Sequence, residues 1–95
     1  MVLEPKEVYN LYMLIDEILG DNKGITYKCA LFNLISTLTY YNFSFDELKL
    51  LITHLALLSI EELNTIRKIL EINPNDEINP NIEITLHNLR KMISV

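Results

Sequence analysis

Histidine, cysteine and acidic residues are the side chains of this sequence that could bind a metal or carry out a reaction. His54 and His87 are the only histidines. A zinc site takes four ligands, usually His, Cys or carboxylate. Glu83 lies one helical turn before His87, whereas His54 has leucines at the corresponding positions. The sequence therefore predicts no metal site and no cofactor.

Cys29, the only cysteine, is the one candidate nucleophile. A reactive cysteine needs a base and a group that lowers its pKa. Lys28 adjoins it in sequence but points about 100° away around a helix. Adjacent carboxylates also point in different directions and cannot work as an acid/base pair; they are Asp16–Glu17, Asp46–Glu47 and Glu61–Glu62. We predict that the chain has no catalytic residues and is not an enzyme.

Length and composition predict one small domain, residues 1–95, with an excess of apolar surface. Hydrophobic residues make up 49% of the chain, and the mean hydropathy is +0.18. A small domain buries a limited fraction of its surface, so this excess favours an oligomer or a protein partner. The net charge of −5 repels the phosphate backbone, which makes nucleic acid an unfavourable partner.

The expected location is the cytoplasm. The first nine residues lack the basic and apolar regions of a signal peptide, and a single cysteine excludes an intrachain disulfide. No run reaches the roughly 18 apolar residues of a membrane span, because Lys49, Thr53, His54 and Ser59 interrupt the richest segment. We expect no membrane association.

Apolar residues recur every three or four positions, which predicts an all-α protein, a compact bundle of about five short helices. The first helix begins near Pro5, a residue suited to the first helical position. Its predicted core face is Val8, Leu11, Tyr12, Ile15, Ile18 and Leu19. The second spans about 26–41, and its core face is Tyr27, Ala30, Leu31, Leu34, Ile35, Leu38 and Tyr41.

Two capping boxes, Ser44 with Glu47 and Ser59 with Glu62, predict the starts of helices 45–57 and 60–72. The fourth helix should bury Leu63, Ile66, Ile69 and Leu70. The motif Glu-Ile-Asn-Pro-Asn follows twice, at 71–75 and 77–81, and is interpreted as a duplicated turn. The last helix should start at Pro80 with Asn79 as N-cap, end near Ile93, and pack Ile82, Leu86, Leu89 and Ile93.

The predicted third helix is apolar on two sides, which indicates that something covers both. Leu48, Leu51, Ile52 and Leu55 share one side, and Leu50, His54 and Leu57 lie on the other. Other apolar residues are left over once the core is assigned. Together these residues form the predicted protein interface: Tyr9, Met13, Phe32, Tyr40, Leu50, His54 and Leu57. Titration of His54 there could make association depend on pH.

The sequence therefore predicts a non-enzymatic interaction or regulatory module that dimerises or docks on a protein partner. The alternative is a small DNA-binding regulator, with helices 45–57 and 60–72 forming a helix-turn-helix. Glu61, Glu62 and Asn64 argue against it, because they occupy the first turns of the helix that would contact DNA.

Overall fold

The computed structural model describes residues 4–71 and 80–94 of the chain. Five α-helices make up about four-fifths of this described part: α1 (Pro5–Leu19), α2 (Gly24–Leu38), α3 (Phe45–Leu55), α4 (Ile60–Leu70) and α5 (Pro80–Ile93). A single turn of 3-10 helix, Thr39–Tyr41, extends α2. The prediction of an all-α bundle is confirmed. None of the helices in the described ranges is long and apolar enough to cross a membrane.

Helix α2 is the centre of the bundle, since it packs against α1, α3 and α4. Helix α5 closes the other side by packing on α3 and α4. All seven residues predicted for the core face of the second helix are buried. The four residues predicted for the inner side of α3 are completely buried. The helical period therefore predicted correctly which sides of these two helices meet the core.

The capping boxes form as predicted. Ser44 Oγ accepts from the backbone N–H of Glu47 at 3.1 Å, and the Glu47 carboxylate accepts from the N–H of Ser44 at 2.8 Å. Ser59 and Glu62 repeat this arrangement, with both distances at 3.1 Å. Pro5 is the first residue of α1, as predicted. Each box satisfies two backbone donors that a helix start leaves unpaired.

Replacing either capping serine by alanine is expected to lower the free energy of unfolding by about 1 kcal/mol. The two caps lie on different helices, so Ser44→Ala and Ser59→Ala together should cost roughly 2 kcal/mol. Urea titration followed by circular dichroism measures both effects. Thr65→Ala, at an exposed position inside α4, is the matched control and should change stability by less than about 0.5 kcal/mol. An equal loss in the control would contradict the capping account.

Some helix ends differ from the prediction by two residues. Helix α2 begins at Gly24 rather than at 26. Helix α3 ends at Leu55 because the chain then tightens: Leu57 N–H donates to the His54 carbonyl and Leu58 N–H to that of Leu55. Helix α4 ends at Leu70, since Glu71 has extended backbone geometry. The predicted N-cap Asn79 and most of the duplicated motif lie outside the described residues.

The predicted core face of α1 is too wide. Tyr12 and Ile18 are both exposed, which corrects their assignment to the core. Leu11, Ile15 and Leu19 are buried, and Val8 is partly buried against the core. Tyr12 and Ile18 flank this narrow row on opposite sides, about 60° from its centre around the helix. Helices α2 and α3 cover only the central row.

In α4 and α5, fewer of the predicted core residues are fully buried than expected. Leu63 and Leu70 of α4 and Ile82 and Leu89 of α5 are buried. The other predicted residues pack against the core but are only partly buried: Ile66, Ile69, Leu86 and Ile93. Each of these two helices packs mainly against two others, so part of each of these side chains remains in contact with solvent.

Two tyrosines join α2 and its 3-10 extension to the ends of other helices. The Tyr27 hydroxyl donates to the Leu55 carbonyl at 3.2 Å and also hydrogen-bonds the Leu58 carbonyl. The Tyr41 hydroxyl donates to the Leu70 carbonyl at 2.6 Å. The Leu55 carbonyl also accepts from the Leu58 N–H. Leu70 is the last residue of α4, and its carbonyl has no partner within the helix, so the Tyr41 hydroxyl satisfies a group that the helix leaves unpaired.

These hydrogen bonds predict a loss of stability in alkaline solution. Burial raises the pKa of both tyrosines above their ordinary value of 10.0, and the charge of Glu62 raises the pKa of Tyr27 further. Because the folded pKa exceeds the unfolded one, their contribution is complete below about pH 10 and is lost as the pH rises through the folded pKa. Urea unfolding between pH 8 and about pH 11.5 should show this decline.

The variant Tyr27→Phe/Tyr41→Phe should be less stable at neutral pH, by about 1 kcal/mol per hydroxyl. Its free energy of unfolding should fall less than that of the wild type as the pH is raised into the alkaline range. Some decline should remain, because the pKa of Lys28 is also raised, chiefly by its hydrogen bond to Asp16. The control Tyr9→Phe/Tyr40→Phe removes two exposed hydroxyls. If the control variant reduced the loss of stability at alkaline pH by as much, the buried tyrosines would not be the cause of that loss.

Candidate interaction surface

Helices α1 and α2 form an antiparallel hairpin joined by the short loop 20–23. The loop can turn at Gly20 because its φ of +56° is open to glycine but rarely to other residues. Lys28 Nζ donates to Asp16 Oδ1 at 2.7 Å. One turn further along, the rings of Tyr12 and Phe32 meet edge to face, with centroids 5.5 Å apart and planes at 78°. These two contacts define how α1 and α2 are aligned along the hairpin.

Lys28 is the only charged residue between 24 and 45, and it is buried. Its hydrogen bond to Asp16 raises its pKa despite the opposing effect of desolvation. The ammonium group is therefore held as a cation against α1. The consequence for the surface is that the solvent-facing side of α2 has no charge at all.

A row of five residues follows this uncharged side of α2 and of its 3-10 extension, and we call it the α2 stripe: Ile25, Cys29, Phe32, Ser36 and Tyr40. Ile25 is 65% exposed and Tyr40 is 68% exposed. Cys29 is also exposed, whereas Phe32 is half-buried against Tyr12. A helix covered on one side normally has charged residues on the other. The composition of α2 is instead that of a helix covered on both sides.

Helix α1 widens this apolar surface. Tyr12 contacts Phe32, and Tyr9 and Met13 follow Tyr12 around α1 on the side away from the core. Tyr9 is 63% exposed, and Met13 is exposed as well. These three residues and the α2 stripe together form the α1–α2 face. Contiguous exposed apolar surface of this kind commonly marks an interaction site.

A shallow groove of about 450 Å³ lies at one end of the α1–α2 face. Val8 and Leu11 of α1 and Phe32, Ser36 and Tyr40 of α2 contribute to its lining. Arg67 of α4 lies at its edge and forms an ion pair with Glu71. The groove gives the face a concave part into which a side chain of a partner could insert.

The second apolar area, the α3 patch, consists of Leu50, His54 and Leu57. Leu50 is 49% exposed and Leu57 is 85% exposed. His54 is half-buried, with Nδ1 at 2.8 Å from the Leu50 carbonyl oxygen. The described residues therefore cover only one side of α3. The predicted pH dependence of association through His54 stays a prediction.

The seven predicted interface residues thus fall into two groups. Tyr9, Met13, Phe32 and Tyr40 belong to the α1–α2 face, and the other three form the α3 patch. The prediction missed Ile25, and it placed Tyr12 in the core although this ring lies at the rim against Phe32. The absence of charge between residues 29 and 45 was the signal that could have identified α2 as the helix with the larger unpaired side.

The described residues contain no group of three or more His, Cys, Asp or Glu side chains that could hold a metal ion. The chain matches no known protein-family model, and comparisons with curated proteins and with solved structures found no match either. The surface of the molecule itself is therefore the basis for its proposed function.

Proposed function

We propose that this chain is a non-enzymatic protein-interaction module. It acts in the cytoplasm by binding a protein partner or another copy of itself through exposed apolar helix surface, and it regulates the protein to which it binds. The α1–α2 face is the principal binding surface, and the α3 patch is a smaller second one.

One observation carries the proposal: the outer side of α2 combines large exposed apolar side chains with a complete lack of charge. Exposed apolar residues that occur singly are ordinary. Here Ile25 and Tyr40 mark the two ends of one helix side, and Tyr9 and Met13 lie beside it. Tyrosine and methionine are enriched in protein interfaces, whereas charged residues are depleted from interface centres.

DNA binding is less well supported. Glu61 and Glu62 are exposed in the first turn of α4, where they would face the phosphates in a helix-turn-helix arrangement. Helix α4 packs on α2 and α5. Arg67 is paired with Glu71, so its charge is partly neutralised.

Salt dependence tests the proposed function and separates it from DNA binding. Association through the uncharged surface should not weaken between 0.1 and 0.5 M NaCl, because no ion pair crosses the contact and salt screens the repulsion between chains of net charge −5. Binding through phosphate contacts should fall by orders of magnitude over a similar range. Sedimentation measures self-association, and retention on the immobilised chain measures a partner. A chain that neither associates nor retains a partner would contradict the proposal.

The contribution of the α3 patch is tested by Leu50→Lys/Leu57→Lys. Both side chains are exposed, so the fold should be retained, with a far-ultraviolet circular dichroism spectrum like that of the wild type. If the α3 patch is an interface, the variant loses association. An unfolded variant would instead show that these leucines belong to the core.

A further inference from the structure

The order of side chains along the α2 stripe indicates which partner it fits. Its residues are spaced four, three, four and four positions apart, which keeps them in line along a helix that packs lengthwise against another helix. Large residues alternate with small ones: Ile25, Phe32 and Tyr40 are large, and Cys29 and Ser36 are small. If a second stripe runs antiparallel and is shifted by one place along this row, Ile25 of one stripe lies over Ser36 of the other and Phe32 lies over Cys29. Tyr40 of each copy then lies at an end of the contact.

Charge favours an identical partner over a basic or an acidic one. The chain carries a net charge of −5, so two copies repel each other through most of their surfaces. The α2 stripe avoids this cost, because the only charge on its helix is turned toward Asp16. A basic partner would find no carboxylate on the stripe, and an acidic partner would find no cation. An uncharged surface pairs best with another uncharged surface.

The size of the α1–α2 face is also adequate. If a whole aromatic side chain offers about 200 Å², the exposed fractions of its three tyrosines amount to roughly 350 Å². With Met13, Ile25, Cys29 and Phe32 the face reaches on the order of 700 Å² per copy. A stable interface of standard size buries about 800 Å² per partner. Two copies that meet through this face would therefore come close to that requirement.

We propose that the α2 stripe binds the α2 stripe of a second copy of this chain. The two helices run antiparallel about a two-fold axis, and the α1–α2 hairpins of both copies form a four-helix layer between the two cores. This inference rests on the proposed function and names the partner of its principal surface.

Cys29 allows a direct test, because it is the only cysteine of the chain and lies within the stripe, between Ile25 and Phe32. Light scattering gives the mass at each protein concentration, and an aromatic disulfide reagent gives the rate at which the thiol reacts. We expect the mass to double and the reaction rate to fall by on the order of tenfold over the same concentration range. The control Cys29→Ser/Thr65→Cys moves the thiol to the exposed side of α4, where its rate should not depend on concentration.

The other outcomes overturn the inference in different ways. A dimer in which Cys29 reacts as fast as in the monomer has its interface elsewhere. That result would overturn this inference but would agree with the proposed function as an interaction module. A monomer whose Cys29 is protected only by a different protein shows that the face binds that protein instead of a second copy. A monomer with a reactive Cys29 and no partner overturns the proposed function as well.

Discussion

Lysine substitutions at Ile25 and Tyr40 are expected to weaken association through the α1–α2 face by at least about 100-fold. Each substitution brings an ammonium group into an apolar contact, where it loses hydration and finds no carboxylate. The variant Ile25→Lys/Tyr40→Lys lowers the net negative charge of the chain, so greater overall repulsion could not explain the loss. Sedimentation at several concentrations measures the effect.

The fold should survive this change. Both positions are about two-thirds exposed, and lysine is a good helix former, so stability should change by no more than about 0.5 kcal/mol per site. The charge-matched control is Thr65→Lys/Asn88→Lys, at exposed positions on α4 and α5. Wild-type association in the Ile25→Lys/Tyr40→Lys variant would contradict the assignment of this face. So would an equal loss in the control.

Removal of the Phe43 ring should destabilise the fold more than the loss of a capping serine or of a buried tyrosine hydroxyl. Phe43 is completely buried in the turn before α3. The guanidinium carbon of Arg90 lies 4.1 Å from its ring centroid, and Arg90 Nη2 donates to the Tyr41 carbonyl at 2.7 Å. Phe43→Ala should cost about 3–5 kcal/mol, because it leaves a cavity and removes the surface on which α5 is anchored. Urea unfolding measures this loss.

Two variants separate the parts of this effect. Phe43→Leu keeps most of the apolar volume and should cost under about 1.5 kcal/mol. Arg90→Met keeps an apolar side chain but removes the cation and its hydrogen bond, and it should cost roughly 1–2 kcal/mol. If Phe43→Ala cost less than 1 kcal/mol, the ring would not be a structural centre of the fold.

The sequence predicted those parts of the fold that depend on local chemistry. The serines and glutamates of the two capping boxes contact each other within one turn, so their spacing was sufficient to predict both helix starts. The core face of α2 was predicted fully because α2 packs against three other helices, and its apolar residues follow the helical period.

The errors arose where the answer depended on neighbouring helices. The sequence predicted Tyr12 in the core and Phe32 at the surface, and only the alignment of α1 with α2 shows that the two rings meet at the rim. The two-sided pattern of α3 predicted an interface at Leu50 and Leu57; both side chains are exposed, and the interface itself stays a prediction. The uncharged outer side of α2 was the stronger signal, and it becomes clear once Lys28 is seen to be paired with Asp16.

Amide proton–nitrogen NMR spectra test directly whether another molecule covers the outer side of α2. Spectra recorded from concentrated to dilute protein, or with an added partner, locate the amides whose environment changes on association. We expect the largest changes between Ile25 and Tyr40 and around Tyr9 and Met13. Spectra without any change, or with changes confined to the α3 patch, would contradict this expectation.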